Sequence, residues 1–310
     1  MHFHEFDTKR QKVDLFHSKI RSKIAIIESK CCAYFLINII FWQVNGLDQV
    51  CAVVLAAGDG KRMKSKKPKV LCEVLFRPMI GWIADSLSAC GIEKVCAVLG
   101  AGKEEVLAAV PQFDWVEQTE RLGTGHAVKM AKHFLEENRG GDCIVLYGDA
   151  PFVDRETIET SYALHKQSGA AVTLLTAILE DPTGYGRIVR AHDGQVKAIV
   201  EQKDADQETL AIREINAGTY WFSVDFLLEA LEKLTPNNAQ GEYYLTDVIG
   251  IAAEAGLVVS GAAAKDPKAA MGANDRKGLL ALNEYARRKV LEQHLENGVE
   301  FVCTDGIVIG

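Results

Sequence analysis

From residue 48 onward, short apolar runs rich in β-branched residues alternate with stretches whose apolar positions recur at helical spacing. Val50 to Ala56, Val95 to Gly100, Asp114 to Gln118 and Cys143 to Tyr147 are predicted as buried strands, and Met79 to Cys90, Lys103 to Val110 and Gly125 to Asn138 as helices. Such alternation requires parallel strands joined by crossover helices, hence an α/β sheet covered on both faces. After Pro151 the rhythm changes. Arg187 to Val200 reads as a hairpin around His192-Asp-Gly194 and Asn216 to Phe222 as a further strand, so this half is expected to wall or cover a substrate. Asp275 to Asn297 carries one long helical pattern, and Val299 to Gly310 reads as a strand.

The first 46 residues differ from the rest. They are basic and contain the uncharged run Cys31 to Val44. Fourteen residues fall short of the roughly 20 that a membrane-spanning helix needs, and the run starts too late for an ordinary signal peptide. No membrane association is expected. Leu47 precedes a natural strand start, so residues 1–46 are expected to be an extension from a mis-assigned start. The eight cysteines form no CxxC pair and have no metal-ligand spacing, which suits free buried thiols in a reducing cytoplasm. With 310 residues and a net charge of −7, the chain can bury one large core but lacks the broad basic face of a nucleic-acid binder.

That acidity gives one local feature its meaning. Leu55 ends the first strand, and Ala56, Ala57, Gly58 and Gly60 are small enough for backbone amides to approach a phosphate, glycine also permitting positive φ. Lys61, Arg62, Lys64, Lys66, Lys67 and Lys69 follow at once. A basic cluster beside a small-residue turn is a polyphosphate signal, although a solvated surface loop has the same composition. Neither GxxxxGK[ST] nor GxGxxG is present. Gly100-Ala-Gly-Lys103 is a plain strand-to-helix turn, because Glu104 stands where a P-loop needs Ser or Thr.

The loop and the following Lys67-Pro-Lys-Val-Leu71 resemble the opening signature of nucleotide-sugar pyrophosphorylases. Gln118-Thr-Glu-Arg-Leu-Gly-Thr-Gly-His-Ala127, Tyr147-Gly-Asp149, Asp181-Pro-Thr-Gly-Tyr-Gly-Arg-Ile188, Glu201-Gln-Lys-Asp204, Glu214-Ile-Asn-Ala-Gly218 and Asn237-Asn-Ala-Gln-Gly-Glu-Tyr-Tyr-Leu-Thr-Asp247 follow in family order. Over residues 49–310 the chain resembles the uridylyltransferase half of the bifunctional N-acetylglucosamine-1-phosphate uridylyltransferase and glucosamine-1-phosphate acetyltransferase family.

The resemblance implies a Rossmann-like, mostly parallel sheet of the nucleotidyltransferase (GT-A-like) type. It implies a pyrophosphorylase domain over residues 47–277, a helical arm over 278–298, and over 299–310 the start of a left-handed β-helix. In the relatives that β-helix forms the trimer and carries acetyl transfer. This chain is therefore expected to lack acetyltransferase activity and to be a monomer. The implied reaction joins UTP to N-acetylglucosamine 1-phosphate and releases pyrophosphate, a cytoplasmic step of cell-wall precursor supply.

The implied catalytic cations are Arg62, against the departing pyrophosphate, and Lys69, against the reacting phosphates. Asp149 and Asn274 are the implied ligands of Mg²⁺. Capping the next turn is an alternative for Asp149, and helix N-capping one for Asn274. Gln118, Gly123 and Thr124 would meet the uracil, with Arg121 standing where the family usually has Gln. His126, in the first turn of a helix, suits a structural role better than a catalytic one. Leu55, Ala56, Ala57, Gly58, Gly60, Tyr147 and Gly148 would line the nucleotide, and Gly186, Glu201, Asn216, Tyr244 and Thr246 the sugar. Read alone, Tyr244 would also suit core packing and Glu201 a solvated strand end. The rival readings are a pyrophosphorylase for another sugar or nucleotide, a metal-dependent glycosyltransferase, for which the usual D-x-D pair is absent, and a non-catalytic regulatory homologue.

Overall fold

A computed structural model of the chain describes residues 49–309 apart from Asp59. The expectations for residues 1–46 and for a start at Leu47 lie outside the described residues. In chain order the elements are β1 (Val50–Ala56), a small hairpin β2 (Glu73–Val74) and β3 (Arg77–Pro78), α1 (Met79–Ala89), β4 (Val95–Leu99), α2 (Lys103–Ala109), β5 (Asp114–Glu117), α3 (Thr124–Met130), α4 (Lys132–Glu137) and β6 (Asp142–Tyr147). The second half adds α5 (Arg155–Ser168), β7 (Val172–Ile178), β8 (Arg187–Arg190), β9 (Val196–Val200), α6 (Gln207–Leu210), β10 (Glu214–Ser223), α7 (Val224–Leu231), α8 (Asp247–Glu254), β11 (Val259–Ala263) and α9 (Arg276–Glu296).

The main sheet runs β11-β7-β10-β6-β1-β4-β5, with the β8–β9 hairpin attached to β10. β1 pairs in parallel with β4 and β6, β4 with β5, and β11 with β7. β10 is antiparallel to both β6 and β7, so it alone reverses direction along that path. The continuous apolar runs of β1 and β4 are buried because helices cover both faces. The chain steps outward from β1 through β4 to β5, then returns to the other side of β1 as β6. That reversal opens a crevice at the carboxyl ends of β1 and β6, where open α/β sheets take their ligands.

Several sequence expectations are refined. The helix predicted over Gly125 to Asn138 is two helices, because the ladder tightens at Ala131, whose N–H closes on the Val128 carbonyl at 3.0 Å. α5 was hidden by its polar composition; Asp154 caps it by accepting from the Thr157 amide, and Gly169 ends it in the left-handed region. The strand expected over Val299 to Gly310, read as the start of a β-helix, is not formed: residues 299–309 are irregular. A strand needs a neighbour's backbone to pair with, and here the Thr304 and Ile307 carbonyls turn instead to the Arg287 guanidinium. The first turns of α9 pack on the domain, burying Leu282 and Ala286 against Met63, Cys72, Val74 and Met79. No helix among the described residues is long and apolar enough to cross a membrane. Five described cysteines are buried and free, and Cys303 is exposed and free.

The β2–β3 turn stores strain. Leu75 and Phe76 both lie in the left-handed region, at φ 45° and 66°, where a side chain crowds the backbone. Phe76 is 72% exposed, so its ring contributes little to packing. Phe76→Gly is expected to stabilise the protein by about 0.5–1 kcal/mol, read as a higher urea midpoint with an unchanged slope.

Candidate functional site

A cleft of about 750 Å³ opens at the reversal point. Its floor is the end of β1, where Leu55, Ala56, Ala57 and Gly58 expose small side chains and backbone. Gly60 sits behind that floor at φ 56°, where a Cβ would fall 2.8 Å from the Lys69 Cβ. Only glycine lets the basic segment fold back so closely. Gly148 plays the same part after β6, since a Cβ there would come within 2.9 Å of Val70 and 3.1 Å of the Leu55 carbonyl.

At one end of the cleft the Lys69 ammonium donates to Asp149 Oδ2 and, at 3.1 Å, to Asn274 Oδ1. Residues 205 positions apart meet here because the Ala273 amide donates to the Asp149 carbonyl at 3.1 Å, which lays Asn274 beside the strand end. The capping alternative for Asn274 falls to its neighbour: Asp275 Oδ1 accepts from the Gly278 amide at 2.8 Å. The Asn274 carboxamide is thus left to the cleft. Two hard oxygen donors facing one cation site fit a small divalent metal that takes its remaining ligands from phosphates and water. Arg62 also lines the cleft, exposed and without an ion pair among the described residues. Lys103, at the start of α2 after the Gly100-Ala-Gly turn, is held instead by Glu117 at the end of β5, at 2.5 Å.

A second wall is the loop between β5 and α3. Gln118, buried after β5, directs Nε2 to the Gly123 carbonyl at 3.1 Å and to His126 Nδ1 at 3.0 Å. Both amide hydrogens are then committed, so Oε1, an acceptor, remains for a ligand. His126 orients this amide, which is the structural role expected of it. Gly123 sits at φ 106° with the Tyr243 carbonyl 2.5 Å from any Cβ, and the Thr124 hydroxyl accepts from the Leu245 amide at 3.1 Å. Arg121 borders this wall.

The far wall comes from the second half of the chain. Asn216 lies near the start of β10, whose reversed direction brings its first residues to the ligand edge. Burial, reinforced by the nearby charges of Asp204 and Asp247, raises the Glu201 carboxyl above the usual range, while the Thr246 hydroxyl, donating to Glu201 Oε1 at 3.2 Å, opposes the shift. Gly186 leaves room for that carboxylate, since a Cβ would meet Glu201 Oε1 at 3.3 Å. Tyr244 accepts from Gln240 Nε2 at 2.7 Å. Burial, and then the negative charge of Glu201, pushes the Tyr147 phenol up to about 12, so it stays protonated.

The structure therefore brings all the sequence-predicted residues to one cleft or its immediate backing. Gly60, Gly148 and Thr246 stand behind the lining and the others form it. Sequence reasoning left unassigned Thr183, Gly184 and Tyr185, and Gln240 and Glu242, which line the far wall. They lie inside the segments 181–188 and 237–247, so the signal was present without a role to attach to it.

Residues 52–215 match the family of MobA-like NTP transferase domains, and the chain belongs to that family. The class is thus a nucleotidyltransferase domain. The chain is 47% identical over 257 residues to the bifunctional protein GlmU of Geobacillus thermodenitrificans, covering 82% of this chain and 56% of that protein. It is 41% identical over 264 residues to the GlmU of Acetivibrio thermocellus, covering 85% and 57%. The chain spans about half the length of these curated relatives. Among solved structures, one from Bacillus anthracis assigned as a glucose-1-phosphate thymidylyltransferase, in complex with a sucrose, superposes with a TM-score of 0.64 at 19% identity. That match covers 82% of this chain and 98% of that one. It shows the shared fold.

Proposed function

We propose that this domain transfers a uridylyl group from UTP to N-acetylglucosamine 1-phosphate, giving UDP-N-acetylglucosamine and pyrophosphate. The observation that carries the reading is the meeting of Lys69, Asp149 and Asn274 at one end of a cleft whose other walls offer a base acceptor at Gln118 and polar sugar contacts at Glu201 and Asn216. An oxygen of the sugar 1-phosphate attacks the α-phosphorus of UTP, the bond from that phosphorus to the bridging oxygen breaks, and the β- and γ-phosphates leave as pyrophosphate.

No covalent enzyme intermediate is needed, so the residues act by positioning and by neutralising charge. Lys69 meets the reacting phosphates and Arg62 the departing pyrophosphate. Gln118 Oε1 accepts the N–H of the uracil ring, and the amides of Gly123 and Thr124 close on the base. Arg121, borne on the same wall, adds a cation where the related family usually has Gln. Glu201 and Asn216 hold sugar hydroxyls and the acetamido group, with Gly186, Tyr244 and Thr246 shaping that pocket. Asp149 and Asn274 would hold Mg²⁺, which supplies charge neutralisation of the phosphates when bound.

Pyrophosphate release measured over a panel of nucleoside triphosphates and sugar 1-phosphates, with Mg²⁺ or with chelator, tests the reading. UTP with N-acetylglucosamine 1-phosphate should give the highest kcat/KM, and chelator should abolish it. Preference for another nucleotide or sugar overturns the assignment of substrates.

A further inference from the structure

Beneath the far wall lies a hydrogen-bonded line that none of the roles above uses. Asn216 Nδ2 donates to the hydroxyl of Tyr220 at 2.6 Å. Tyr220 also neighbours the Tyr147 phenol, as does Thr124, whose hydroxyl accepts from the Leu245 amide at 3.1 Å. Tyr220 is completely buried, so its hydroxyl, which accepts from Asn216, makes no contact of its own with the cleft.

The other side of Asn216 is pinned by the backbone. The Gly218 amide donates to Asn216 Oδ1 at 3.0 Å, across the irregularity in β10 between Asn216 and Tyr220. Because an amide N–H can only donate, Oδ1 must face Gly218 and Nδ2 must face Tyr220. Two anchors, one on each end, fix the carboxamide against rotation. They leave one N–H and one lone pair on the carboxamide of Asn216, a residue that lines the cleft. A donor beside an acceptor on a rigid plane matches a secondary amide, which offers a carbonyl and an N–H of its own. A lone hydroxyl satisfies only one of the two.

We propose that Tyr220 is a positioning residue that sets selectivity for the acylamino group of the sugar 1-phosphate, acting through the orientation it imposes on Asn216. This rests on the reading of the cleft given above. In Tyr220→Phe the ring still fills its space, while Asn216 Nδ2 loses its buried acceptor and the carboxamide keeps a single anchor. The base wall stays held at Thr124 by the Leu245 amide.

The test is steady-state kinetics with both substrates varied. Tyr220→Phe is expected to raise KM for N-acetylglucosamine 1-phosphate about tenfold and to cut the preference over glucose 1-phosphate by a similar factor, with KM for UTP within about twofold. A merely structural role would move both KM values together, or neither. Adding Tyr220→Phe to Asn216→Ala should cost nothing further, because the two changes break one arrangement. Unchanged selectivity in Tyr220→Phe, or full additivity in the double variant, overturns the proposal. Wild type that turns over no sugar 1-phosphate overturns the substrate reading instead. In that case the side-chain amide resonances of Asn216 decide about Tyr220. They should be slowly exchanging in wild type and lose that protection in Tyr220→Phe, and equal protection in both refutes the inference.

Discussion

Lys69→Ala is expected to lower kcat/KM by about 10³-fold, roughly 4 kcal/mol of transition-state stabilisation, with most of the loss in kcat. The expectation follows from where the ammonium sits. It is held by the Asp149 carboxylate and Asn274 at the end of the cleft, with about 16% of its side chain exposed, so water screens it poorly. In the proposed reaction a cation fixed there would meet charge that develops on the reacting phosphates and would need no reorganisation as the bond forms. Ground-state binding of UTP in that proposed reaction would draw on the whole β1 turn and on Arg62, so KM should change much less than kcat. Removing Lys69 also leaves Asp149 without its partner. Asp149→Ala is therefore a separate experiment, expected to remove activity together with the response to Mg²⁺. A Lys69→Ala enzyme with kcat within a factor of about three of wild type would mean that the reacting phosphates bind elsewhere.

The second large effect concerns Gly218. At φ +74° it occupies a region that a side chain enters only under strain, and a Cβ there would lie 2.3 Å from Cδ2 and 2.5 Å from Cε2 of the Tyr147 ring. The ring stands beside Tyr220 and Thr124, so its retreat would disturb both neighbours. Gly218→Ala should therefore cost about 3 kcal/mol of stability, the sum of backbone strain and overpacking, seen as a lower urea midpoint. It should also raise KM for the sugar 1-phosphate about tenfold or more, because the Gly218 amide that pins Asn216 moves. Unaltered stability would show that the bulge relaxes freely and that its shape is not imposed by Tyr147.

Legibility in the sequence followed the physics of each element. β1, β4 and β6 declare themselves as apolar runs because they are buried on both faces, and the β8–β9 hairpin declares itself through Asp193-Gly194. The helix α5 is surface-lying and polar, so periodicity alone did not reveal it. The strand expected after Val299 failed for the opposite reason, since its apolar alternation is real but pairing depends on a neighbour that no local pattern specifies. In the cleft, the glycine-rich turn and its lysines were legible by chemistry. The contact of Lys69 with Asn274 was not, because it depends on Ala273 docking on the Asp149 carbonyl, a tertiary event. Tyr220 was invisible for a similar reason: it reads as one more aromatic in the core strand Tyr220-Trp-Phe222.

The most direct test of the account is ³¹P nuclear magnetic resonance of the wild-type protein with UTP, N-acetylglucosamine 1-phosphate and Mg²⁺. The sugar phosphate monoester signal is expected to decline while a sugar-nucleotide diphosphate and inorganic pyrophosphate grow in equal amounts. Release of orthophosphate, or pyrophosphate formed without a sugar nucleotide, would contradict it.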